Sequence, residues 1–115
     1  MSHLTQIDEA QRNESLRQIA VLRFEPDFFA AHYGLEFQTD ARDTSVGALV
    51  VTESGHQFML LRHHDSPVPG TEILASEWSS EPRHDLEEIL AELGLGEDAV
   101  IWRLDPDDTA LPPGA

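Results

Sequence analysis

Apolar positions along the chain recur with two different periods. Leu86, Ile89, Leu90 and Leu93 follow the i, i+3, i+4, i+7 spacing of a helix with one buried stripe. That spacing predicts a helix over 81–93, entered through Glu81-Pro82 and stopped by Gly94. Phe28, Phe29, His32, Tyr33 and Leu35 form an aromatic stripe behind Glu25-Pro26-Asp27, which predicts a second helix ending at Gly34. Ile7, Leu16, Ile19, Ala20 and Leu22 are loosely helical, so Thr5–Arg23 is read as one helix or two short ones, Ser15 capping the second.

Between these helices the pattern changes. Val46–Thr52 and His56–Arg62 are apolar runs flanking Glu53-Ser54-Gly55, which reads as a β-hairpin. Ser66–Thr71 is a second turn with Pro69-Gly70 at its centre, and Glu72–Ser76 a third strand. A short strand is expected at Glu36–Gln38. Val100, Trp102 and Leu104 alternate with Ile101 and Arg103 in a closing strand over 99–104. The expected fold is therefore α+β. Its mainly antiparallel sheet has four to five strands, a β-meander over 46–76 plus the strand over 99–104, packed with N-terminal helices and the helix at 81–93. The last strand is free to join either edge or to pair parallel inside the sheet. Residues 1–104 are read as one domain and 105–115 as an acidic, Pro-rich flexible tail.

The meander strands are apolar at consecutive positions. Phe58 and Leu60 point opposite to Met59 and Leu61, so both sheet faces need cover. Helices can cover one face. The other calls for an N-terminal helix, a ligand, or a second copy of the chain in a homodimer.

Composition narrows the partners. The 115 residues hold 22 acids against 7 bases, a formal charge of −15, and every base is arginine. Such a chain repels a phosphate backbone, which argues against direct nucleic-acid binding, and attracts basic proteins. Without cysteine there is no disulfide, thiolate metal site or thiol nucleophile. Met1–Arg12 lacks the apolar run of a signal peptide and no stretch approaches the ~20 apolar residues of a membrane span, so a cytoplasmic location is expected.

Chemistry-capable residues are few. His63-His64-Asp65 is the densest cluster. Neighbours in a strand diverge, though, and His56 and His64 stand about 26 Å apart at strand rise. A polar strand exit is the plainer reading, and no metal or cofactor is assigned. Arg62 is expected to pair across strands with Glu72. With His64, His32 and Tyr33, Arg62 forms the candidate set for a small-molecule or enzyme pocket between the sheet and the aromatic helix. Trp78 with Glu87, Glu88 and Glu92 is the candidate interaction surface for a basic protein. Asp105, Asp107 and Asp108 lack calcium-loop spacing, and Gly94-x-Gly96 follows a helix where a phosphate loop would precede one.

In composition the chain resembles small acidic immunity proteins and products of mobile accessory genes, and no motif adds to that resemblance. The first expectation is a non-catalytic protein-binding or accessory module. The alternative is the pocket reading.

Overall fold

The computed structural model describes residues 4–7, 15–40, 44–53, 55–65, 70–77 and 81–104. Seven strands form one antiparallel sheet: β1 (Thr5–Ile7), β2 (Leu16–Leu22), β3 (Gln38–Asp40), β4 (Ser45–Val51), β5 (Gln57–His63), β6 (Thr71–Ser76) and β7 (Val100–Arg103). The two helices are α1 (Pro26–Tyr33) and α2 (Pro82–Leu93), and a 3-10 turn, Glu97–Ala99, leads into β7. The strand order is β1-β4-β5-β6-β2-β7, with β3 also on β4.

The α+β class and the antiparallel meander are as expected from the sequence. The hairpin turns where Gly55 predicts it, with Gly55 N donating to Thr52 O at 2.9 Å. Gly34 and Gly94 end α1 and α2 in the left-handed conformation. The Pro-Gly turn read at 66–71 lies outside the described residues except for Gly70 and Thr71. The tail over 105–115 and Trp78 also lie outside them.

The N-terminal reading is corrected. Thr5–Ile7 and Leu16–Leu22 are strands, not helices. Ile19, Ala20, Val21 and Leu22 are all buried, because β2 sits inside the sheet between β6 and β7 with apolar contacts on both faces. A short continuous apolar run of this kind fits a buried strand and a helix equally well by period alone. A register shift between Gln18 and Ala20 lets Ile19 and Ala20 both enter the core. The N-terminal segment thus widens the sheet to seven strands rather than forming a helical layer on it. The closing strand pairs antiparallel with β2 at one edge.

Both three-residue strands share the outer edge of β4. β1 pairs with Leu49–Val51, and β3 with Ser45–Gly47. The Gln6 side chain joins them: its Nε2 donates to Glu36 O at 2.6 Å and its Oε1 accepts from Glu36 N at 2.8 Å.

Register divides the sheet into two faces. Ala48, Val50, Phe58, Leu60, Ile73, Ala75, Ala20 and Leu22 fall on the first, with Phe29 of α1 and Leu86, Ile89, Leu90 and Leu93 of α2 in one buried cluster. Each fully buried side chain of this size contributes about 1.5–3 kcal/mol. The second face carries Ile7, Leu49, Val51, Met59, Leu61, Leu74, Val21 and Trp102.

Candidate functional site

Arg62 leaves the first face of β5 toward the start of α1. Its Nε lies 3.2 Å from Glu25 Oε2, and its Nη1 donates to Gly70 O at 2.9 Å. Gly70 N in turn donates to Glu25 Oε1 at 3.2 Å, closing a ring of contacts that ties the β5–β6 connection to the helix. The expected Arg62–Glu72 pair is therefore corrected. Leu61 stands opposite Glu72, which puts Glu72 on the second face and Arg62 on the first. Glu72 is met instead by His63, whose Nδ1 lies 3.0 Å from Glu72 Oε2.

His32 and Tyr33 stand at the other end of α1. His32 is exposed, with its Nδ1 3.0 Å from Phe28 O and its ring 4.1 Å from that of Phe28. Tyr33 OH donates to Leu93 O, the last turn of α2, and burial raises its pKa above the ordinary value of 10.0. His64 lies past the end of β5 in an exposed turn, its N donating to Thr44 O at 2.8 Å. The pocket candidates are thus spread over both ends of α1 and a turn.

Of the interaction candidates on α2, Glu87 is exposed and Glu92 half-buried. Glu88 is engaged by two imidazoles, His56 Nδ1 at 3.2 Å and His84 Nε2 at 3.4 Å. The His56 contact joins the hairpin tip to α2 across 32 residues of sequence, a proximity that no local spacing signals. Beside it, a cavity of about 190 Å³ is lined by Gly55, His56, Gln57, Ala75, Ser76, Asp85 and Ile89. None of Arg62, His64, His32 and Tyr33 lines it. Among the described residues no group of three or more His, Asp or Glu side chains is placed to hold a metal ion.

The second sheet face is the other extended feature. Leu49 and Val21 are buried there, and Val51, Met59, Leu61, Leu74 and Trp102 are half-buried. Both described helices pack on the opposite face. Glu72 is the only acid among the strand residues whose side chains are described, and it is paired with His63. No helix among the described residues is long and apolar enough to cross a membrane. No protein-family model matches the chain, and neither a curated protein nor a solved structure matches it.

Proposed function

We propose that the chain is a non-catalytic protein-binding or accessory module, immunity- or antitoxin-like in kind, that engages protein through the second face of its sheet. One observation carries the reading: that face presents contiguous apolar side chains from six strands, while α1 and α2 both serve the other face. The six strands, from three to seven residues long, give roughly 550 Å² of face at about 3.3 Å rise and about 4.8 Å spacing. This is at the lower end of what one partner contributes to a specific interface, typically about 800 Å².

The occupant that matches this face best is a second copy of the chain, in a homodimer with the two sheets packed about 10 Å apart. The described side chains of the face are nearly neutral in a chain of charge −15, so it suits another neutral face better than a basic one. Basic partners are matched instead by the acids of the helices and turns. The scattered placement of Arg62, His64, His32 and Tyr33 gives the pocket reading no comparable support.

Light scattering on the full chain across a concentration series, repeated with Leu74→Glu and Leu61→Gln, tests the reading, together with binding of an apolar-surface dye. A dimer that both variants dissociate supports it. A monomer whose dye binding is abolished by the variants removes the homodimer and keeps an open protein-binding face. A monomer that binds no dye overturns both.

A further inference from the structure

The cavity between the hairpin tip, β6 and α2 has features that its place in the fold does not require. Asp85 lines it and has no cationic partner among the described residues. Glu88, one turn on, lies outside the lining and is met by His56 Nδ1 at 3.2 Å and His84 Nε2 at 3.4 Å. A half-buried carboxylate with no cation beside it gains from a charged donor that arrives. Ala75 and Ile89 supply apolar wall, and Gln57 and Ser76 polar wall.

Size decides the class of ligand. At about 190 Å³ the cavity is smaller than the roughly 300–1,000 Å³ of sites that enclose a whole small-molecule ligand. One side chain is the better match. An apolar stem against Ala75 and Ile89 with a cationic head at Asp85 describes lysine or arginine, whose stems bury while their heads remain polar. Asp85 also offsets the positive end of α2 from its first turn, but that role needs no cavity.

We propose that this cavity receives a lysine or arginine side chain of a basic protein. The proposal rests on the protein-binding reading above but concerns a different surface, so either can fail alone. The field of a chain with net charge −15 favours the encounter.

The test is a titration of the isotope-labelled full chain, followed by amide NMR, with n-butylammonium, n-propylguanidinium and the neutral control n-butanol at matched ionic strength. Saturable shifts at Gly55, Gln57, Asp85 and Ile89 with either cation, and not with butanol, are expected; the cation that binds more tightly identifies the side chain. Asp85→Asn should weaken binding about two- to fivefold, the range of a partly exposed ion pair. Asp27→Asn, exposed in the first turn of α1 and away from the cavity, should leave it unchanged. Equal shifts with butanol, failure to saturate, or equal weakening by Asp27→Asn and Asp85→Asn would each overturn the proposal. None of these results bears on the sheet face, which light scattering reads independently.

Discussion

Arg62 Nε and Glu25 Oε2 lie 3.2 Å apart, joining the end of β5 to the residue that precedes α1. The Arg62 side chain is 25% exposed and Glu25 51%, so the ion pair alone is worth under about 1 kcal/mol. Arg62 also donates to Gly70 O, and removing a charged donor from a part-buried carbonyl adds to the loss. Arg62→Met is expected to cost about 1–2 kcal/mol in urea unfolding. Glu25→Gln keeps an acceptor for Gly70 N and should cost less than about 1 kcal/mol. Equal losses in the two variants would show that Gly70 O does not depend on Arg62.

Gly70 itself has φ +106°, and a Cβ built there would meet Leu22 O at 1.9 Å. Neither the backbone nor the neighbour can accommodate a side chain, because Leu22 O belongs to β2, an interior strand held between β6 and β7. Gly70→Ala should therefore destabilise the fold by at least about 2 kcal/mol, read as a lowered urea midpoint with an unchanged slope. A loss of only a few tenths would mean that the β5–β6 connection can shift away from β2.

The reach of the sequence can be judged from these same residues. The β4–β5 hairpin is legible because its runs flank Gly55, and α2 because Leu86, Ile89, Leu90 and Leu93 keep one period. β2 is not, since Ile19–Leu22 is buried on both faces and carries no alternation to mark it as a strand. β1 and β3 are three residues long, too short for any period to register. The Arg62–Glu25 and His56–Glu88 contacts link residues 37 and 32 positions apart, so only the folded chain brings them together. The need to cover both faces of the sheet was legible from Phe58–Leu61, whereas the strand that fills the sheet's interior was not.

Tyr33 is the only tyrosine in the chain, so its ionisation can be followed directly by ultraviolet absorbance. Burial raises its pKa, and the folded chain accordingly holds the phenolic proton more tightly than the unfolded chain does. The stabilisation is complete below pH 10, the ordinary value, and is lost as pH rises through the raised one. Tyr33→Phe should remove this alkaline loss. It should also cost about 1 kcal/mol at neutral pH, because Leu93 O loses its donor. An absorbance transition at the ordinary value, or an alkaline stability profile unchanged in Tyr33→Phe, would contradict the role given to burial.

Among the described large apolar side chains, Phe58 and Ile101 stand at opposite ends of exposure. Phe58 is fully buried in β5 beneath the helices, and Phe58→Ala should cost about 3–5 kcal/mol. Ile101 is 46% exposed where the β2–β7 register shifts past it, which also blunts an edge strand against pairing with other chains. Ile101→Ser should stay within about 0.5 kcal/mol of the parent in urea unfolding. A larger loss would place Ile101 in an apolar contact.

Salt dependence separates the two kinds of partner that the surface suggests. Two copies meeting through the Met59, Leu61 and Leu74 face bring two charges of −15 together, although among the described strand side chains that face carries a single acid, Glu72, paired with His63. Sheets about 10 Å apart place most of the remaining acids beyond one another's screening distance at physiological salt, about 8 Å. Residual repulsion then weakens the dimer at low salt, and added salt should lower the concentration at which it forms. Capture of a basic protein by the acids of α2 has the opposite sign, since screening removes the attraction. Sedimentation of the chain alone from low to high salt should therefore show dimer increasing with ionic strength. Dimer that falls away as salt rises would mean that association runs through charge rather than through the apolar face.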